Sequence, residues 1–220
     1  MDSIPHTFER DYFNGRKLSA YDDYKTCQGI VHVHAKIILD AVKKFGFNPA
    51  SSFDAGCAYG YIVEYMLGQG LDSHGSDISE YAISEGRDIL ADRVSVSPLP
   101  ALEGMLSYDL VTCSEVLEHI PFDDIVPSLR RLYDITNPGG VMVIMPNMSN
   151  DGTWFSKDPG DPSHVSMVPR SWWTETMREL GFQRHAGIEK ELNGNQDARN
   201  ICWGSCEAYP EGRFFAIVKP

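Results

Sequence analysis

Apolar residues recur along this chain in two alternating rhythms. From Thr26 to Phe45, Ile30, Val33, Ile37, Ile38, Ala41, Val42 and Phe45 fall three and four apart, which predicts an amphipathic helix. Gly46 stops it, and Asn48-Pro49 leads into a short apolar strand closed by Phe53. Gly56 and Gly60 let the backbone turn tightly, Tyr61 to Leu67 reads as a helix, and a second strand ends at Asp77. Ser79 caps a helix through Tyr81, Ala82, Ile83 and Ile89 to about Ala91. Val94-Ser-Val-Ser-Pro reads as a third strand and Tyr108 to Ser114 as a fourth, with Leu110 and Val111 as a buried run. The helix after Pro121 carries Ile125, Leu129, Leu132 and Tyr133; Asn137-Pro-Gly-Gly is a turn, and Val141-Met-Val-Ile-Met-Pro is the most hydrophobic strand.

Strands and helices alternating at this pace predict an α/β fold, an open and mostly parallel sheet with helices on both faces. The last third departs from the rhythm. Asn147 to Pro169 is polar and rich in Gly, Asp and Pro, too long for a plain connector, and reads as a functional loop. Ser171 caps the next helix, which ends at Leu180-Gly181; Phe182 to Leu192 reads as a strand, Asn193 to Gly212 as a second long loop, and Phe214 to Lys219 as a closing strand. Strand, loop and strand without a crossover helix predict an antiparallel hairpin at the sheet edge. Tyr12 to Lys25 mixes aromatic and charged residues without a period and predicts a loop and irregular helix over the site. At 220 residues the chain reads as one domain: 1–48 a helical cover, 51–146 a cofactor-binding core, 147–220 substrate-side loops and the closing hairpin.

Charge narrows the partners. A formal net charge of −12 argues against a protein whose main work is gripping phosphate backbones, and no basic, aromatic-interleaved patch appears. The five cysteines form no Cys-x-x-Cys pair and read as reduced thiols of a cytoplasmic protein, with Cys57 and Cys113 packing as small apolar residues. Met1 to Arg10 does not resemble a signal peptide, and no apolar run approaches the ~18 residues of a membrane span. The sequence points to a small-molecule substrate and is silent on oligomeric state.

Ser51 to Asp77 has the makings of half a nucleotide site. A small-residue βα turn brings N–H groups and a positive helix end to a ligand anion, and an acidic residue at the next strand end can accept from both ribose hydroxyls. Asp77 follows Gly56 by 21 positions, near the roughly 20 such sites use. Phe53-Asp-Ala-Gly-Cys-Ala-Tyr-Gly, Gly75-Ser-Asp-Ile-Ser, Tyr108-Asp-Leu-Val-Thr-Cys-Ser-Glu-Val-Leu-Glu-His-Ile, Asn137-Pro-Gly-Gly and Arg178-Glu-Leu-Gly-Phe together resemble the ordered motifs of class I S-adenosylmethionine-dependent methyltransferases, of the ubiquinone-pathway and small-molecule O-methyltransferase type. The resemblance covers roughly Ser51 to Phe182 and implies a Rossmann-like, seven-stranded sheet with an antiparallel last strand. It implies that Asp54, Ala55, Gly56, Cys57 and Gly60 lie along the methionine part of S-adenosyl-L-methionine, with the turn's N–H groups serving its carboxylate. Asp77 would hold the ribose, Ile78 would pack on adenine, and Cys113 and Ser114 would pass near the sulfonium. Two departures stand out: Ala58 replaces a second Gly, and Ser97-Pro-Leu99 occupies the adenine region where the family often places Asp.

Methyl transfer to a hydroxyl needs alignment, exclusion of water and removal of a proton. His119, after the fourth strand, and His164, in the long loop, are the candidate bases. Glu115, Glu118, His119 and His164 also form a candidate divalent-metal set, similar to the site of small-RNA 3′-end methyltransferases and ubiquinone-pathway enzymes; metal-free relatives carry the same Glu-Val-Leu-Glu-His string. Trp154, Phe155, Trp203 and Tyr21 are candidate substrate walls. Alternatives are a metal-assisted methyltransferase and a cofactor-binding module without catalysis. A nicotinamide dehydrogenase fits less well, because Gly56-x-x-x-Gly60 lacks the third-glycine spacing.

Overall fold

A computed structural model describes residues 8–14, 22–102, 106–149, 154, 161–197 and 212–220. Seven strands form one sheet: β1 (Ser51–Ala55), β2 (Asp72–Asp77), β3 (Val94–Val96), β4 (Tyr108–Ser114), β5 (Thr136–Met145), β6 (Gln183–Arg184) and β7 (Phe215–Val218). Their order is β3-β2-β1-β4-β5-β7-β6. The pairs β3·β2, β2·β1, β1·β4 and β4·β5 are parallel, whereas β7 runs antiparallel to both β5 and β6. The chain therefore builds outward from β1 to β3, then returns to lay β4 on the other side of β1. Such a reversal opens a crevice over the strand ends, where open α/β sheets bind ligands.

The strands are apolar on both sides because each face is covered. Leu110, Val141, Val143 and Met145 pack with Ala35, Ile38 and Val42 of α2 (Gln28–Lys44), Ile62 and Met66 of α3 (Tyr61–Gly68), and Ile188 and Leu192 of α7 (Ala186–Gly194). Their neighbours Val111, Cys113, Met142 and Ile144 point the other way, onto Ile125, Leu129 and Leu132 of α5 (Phe122–Asp134) and Trp173 and Met177 of α6 (Arg170–Glu179). Ser79 caps α4 (Glu80–Leu90) as expected, accepting from the Ala82 N–H at 2.9 Å. Over the crevice lie α1 (Arg10–Asn14) and a 3-10 turn, Tyr24–Cys27.

Several local expectations are corrected. Val33 and Phe45 are exposed, since the buried stripe of α2 runs through Ala35, Ile38 and Val42. Phe53 sits inside β1, which continues to Ala55. Asn137-Pro-Gly-Gly lies within β5 as a bulge: two steps on β4, Tyr108 to Leu110, face five on β5, Thr136 to Val141, and Gly139 takes a φ of +77°. Helix α6 starts at Arg170 behind Pro169, so Ser171 is inside its first turn rather than capping it. Phe182 to Leu192 is mostly helix: after β6, the His185 ring accepts from the Ile188 N–H and starts α7, whose Ile188 and Leu192, four apart, are both buried. The strands β6 and β7 pair antiparallel as expected, but a helix lies between them in sequence, and β6 rather than β7 is the edge.

Candidate active site

One cavity opens at the carboxyl ends of β1, β2 and β4, and Asp54, Gly56, Cys57, Asp77, Ile78, Ser97, Leu99, Ser114 and His119 all line it. Three expected residues do not. Ala55 and Cys113 alternate away from Asp54 and Ser114, and their side chains enter the core packed on α5 and α6. Gly60 serves packing: it enters α3 at φ +80°, and a Cβ there would lie 2.3 Å from Leu90 Cδ1. Burial raises the thiols of Cys57 and Cys113 well above their ordinary range, which makes both inert as nucleophiles.

The βα turn is held by β2. The Gly56 and Cys57 N–H groups donate to the Ser76 carbonyl at 2.7 and 2.9 Å, and the Ala58 N–H donates to Asp77 Oδ2 at 2.9 Å. These three N–H groups are thus engaged inside the protein. Ala58 adopts φ +48°, the left-handed conformation that the glycine it replaces takes without cost. The Asp77 carboxylate also accepts from the Ser79 N–H at 2.8 Å; burial raises its pKa, opposed by these N–H groups. With the Ile78 N–H as a third backbone donor, the carboxylate still has a lone pair for a ribose hydroxyl. Ile78, 38 % exposed, offers an apolar surface to a ring beside it.

The sequence did not single out His34. It projects from α2 into this cavity, is 4 % exposed, and lies 3.0 Å through Nε2 from Ser114 Oγ, while Nδ1 has no partner among the described residues. Burial lowers its pKa to about 4, so it is neutral. Its position two residues from His32, on another face, gave no signal.

The far end of the cavity is built by clamping the 161–169 segment to the 3-10 turn Leu117–His119. The Val165 and Ser166 N–H groups both donate to the Glu118 carbonyl at 2.9 Å, and Ser166 Oγ donates to the Ile120 carbonyl at 2.6 Å. This sets the His119 and His164 rings 4.6 Å apart, with Phe8 and Tyr12 edge-on to His119. His119 Nδ1 is 2.9 Å from Ser163 Oγ, and burial, reinforced by His164, lowers its pKa to about 4. His164 stands behind His119 and does not line the cavity.

Of the four candidate metal ligands, Glu118, His119 and His164 can bring ligand atoms within 4.8 Å of one another. Glu115 forms an ion pair with buried Arg213; burial alone would raise its carboxyl, but Arg213 outweighs it and holds it below the usual range. Glu118 is fully buried with its carboxyl against that of Glu115, and burial together with the Glu115 charge pushes it well up. Trp154 lies against Phe122 and Trp172, away from the cavity lining. Tyr21, Phe155 and Trp203 fall outside the described residues.

Residues 53–142 match the family model described as a methyltransferase domain. The chain is 29% identical over 149 residues to the ubiquinone biosynthesis O-methyltransferase of Ralstonia nicotianae, covering 62% of this chain and 61% of that protein. It is 27% identical over 160 residues to the Marinobacter nauticus protein of the same name, covering 65% and 66%. The chain thus spans less than two thirds of these curated relatives. In fold it is similar to an amino pentose methyltransferase of Micromonospora echinaspora solved with SAM bound, at 13% identity and TM-score 0.65, covering 90% of this chain and 96% of that one. A sugar N-methyltransferase from Streptoalloteichus gives 14% identity and TM-score 0.66, with 92% and 93% covered. Among the described residues, no helix is long and apolar enough to cross a membrane. Residues 53–142 thus match a methyltransferase domain, and the chain shares its fold with solved methyltransferases.

Proposed function

We propose that this chain transfers a methyl group from S-adenosylmethionine to a hydroxyl oxygen of a small molecule, with His119 taking the proton. The observation that carries this reading is a single cavity reaching from Asp77 and Ile78 at one end to a neutral His119 at the other. The bound cofactor supplies an electrophilic methyl on sulfur. Asp77 accepts from the ribose hydroxyls, Ile78 and Leu99 flank the adenine, and Asp54 faces the ammonium. The acceptor's O–H bond breaks, its proton passes to a ring nitrogen of His119, and its oxygen gains the methyl. Phe8, Tyr12 and Phe13 line the same cavity and keep water from it. The names of the curated relatives favour oxygen as the acceptor atom.

A second reading makes the transfer metal-assisted. A carboxyl buried against a second one needs either a proton or a cation, and Glu118 beside His119 and His164 meets the chemistry of a divalent site. These three residues would hold the ion, which would bind and acidify the acceptor hydroxyl. Full turnover after exhaustive chelation, with no metal found by elemental analysis, would remove this reading. An RNA acceptor is disfavoured by the charge of −12.

The test is a screen with methyl-labelled cofactor against phenols, catechols and sugars. Label on oxygen is expected, and His119→Ala should lower kcat by about 10²-fold or more with cofactor affinity retained. Labelling of amines only, or undiminished turnover in His119→Ala, would overturn the proposal.

A further inference from the structure

Ser163 Oγ touches two groups that make opposite demands on its one proton. It donates to Asp161 Oδ1, and it lies 2.9 Å from His119 Nδ1. Asp161 is an acceptor at every one of these contacts: Oδ1 also takes the Ser163 N–H at 2.9 Å, and Oδ2 takes the Tyr12 hydroxyl at 3.1 Å. The serine proton is thus directed to Asp161. The serine oxygen then faces His119 with a lone pair, and Nδ1 must carry the hydrogen of that bond. In a neutral imidazole the other nitrogen is then bare.

We propose that Asp161 and Ser163 are positioning residues that hold His119 in its Nδ1–H tautomer and leave Nε2 as the ring's acceptor. The inference deepens the reading of His119 given above and rests on it for its catalytic meaning. Without the pair, the ring would spend part of its time with Nε2 already protonated and unable to accept. Tyr12 extends the chain of bonds to α1, so the helix over the cavity is tied to the same carboxylate that orients the base. The other polar groups around the ring are the Ser163 main chain, also hydrogen-bonded to it, His164, 3.9 Å through Nε2 from Asp161 Oδ2, the Glu115 carboxylate, and the Glu118 carboxyl, which shares a 4.8 Å cluster with both imidazoles. The serine is 44 positions from His119 in sequence, and the clamp of Val165 and Ser166 on the Glu118 carbonyl brings it there.

The test is a long-range proton–nitrogen spectrum of the metal-free protein labelled with ¹⁵N at histidine, with the His119 signals assigned by their loss in His119→Gln. In the wild type, His119 should show Nδ1 protonated and Nε2 bare. Asp161→Ala frees the serine proton to turn toward Nδ1 and should exchange the tautomer to Nε2–H. Ser163→Ala should give a mixture, and Ser163→Thr, which keeps the hydroxyl, should restore the wild-type pattern. In turnover, Ser163→Ala should lower kcat by about 10-fold and leave the cofactor KM unchanged. A wild-type His119 with Nε2 protonated, or one tautomer shared by wild type and Ser163→Ala, would overturn the inference. A merely structural role would not exchange tautomers, and if Asp161→Ala does not fold, the two Ser163 variants decide. The spectra need no acceptor, so failure of the methyl-transfer reading and failure of this one are distinguishable.

Discussion

Asp54 holds a charge that its surroundings oppose. It is 4 % exposed, and burial lifts its carboxyl to about 7, against the hydroxyl of Thr112 donating at 2.7 Å and with the nearby Asp77 adding to the rise. Between about pH 4 and 7 the folded protein therefore keeps a proton that the unfolded chain has lost, so this residue's contribution to stability declines as pH rises through that window. Binding of an ammonium group has the opposite slope, because it needs Asp54 ionised. His119 and His34, both with pKa values near 4, stay neutral from pH 6 to 8 and do not mask the effect. S-Adenosylhomocysteine should bind about 10-fold more weakly at pH 6 than at pH 8 by calorimetry, and Asp54→Asn should flatten the profile. A flat wild-type profile would separate Asp54 from the amino-acid end of the ligand. At this scale the glycines were legible for different reasons: Gly56 lines the cavity and a Cβ there would lie 2.2 Å from Val116 Cγ2, whereas Gly60 makes room for Leu90.

Elements differ in how plainly their residues announce them. The strands β4 and β5 were legible because they are buried on both faces and read as unbroken apolar runs. Helix α7 was not, since Phe182 to Leu192 mixes a two-residue strand with a helix of nine, too short a stretch for either period to dominate. What fixes this corner is tertiary. Arg184 donates to both oxygens of Glu189, at 2.9 and 2.6 Å, and Glu189 Oε1 also accepts from the Ala216 N–H of β7 at 3.2 Å. One carboxylate thus joins β6, α7 and β7. Glu189→Ala leaves a guanidinium and a backbone donor unpaired in a largely buried setting and should cost about 2–3 kcal/mol. Thermal denaturation should show Tm lowered by about 5–10 °C, with Glu189→Gln intermediate. An unchanged Tm in Glu189→Ala would show that the corner is held by apolar packing alone.

At the scale of the whole molecule, the β1–β4 reversal sets the cavity where the motif order placed it, between Ser51 and Asp77 on one side and Tyr108 to His119 on the other. That much is written locally, in turn glycines and strand-end acids. The other wall is assembled from distant stretches: His34 of α2, Tyr12 of α1, Ser163 of the 161–169 segment, and Arg213 paired with Glu115. Nothing in their spacing announces these meetings, because each depends on which loop the packed sheet brings over the crevice. The central claim is that this crevice holds S-adenosylmethionine through Asp77. Calorimetric titration of S-adenosylhomocysteine into the wild type and into Asp77→Asn, which keeps the side chain's shape, tests it most directly. The account predicts a single site in the wild type and an affinity about 10- to 100-fold lower in the variant, as expected for losing charge-assisted bonds to the ribose. No binding by the wild type, or equal affinity in the two proteins, would contradict it.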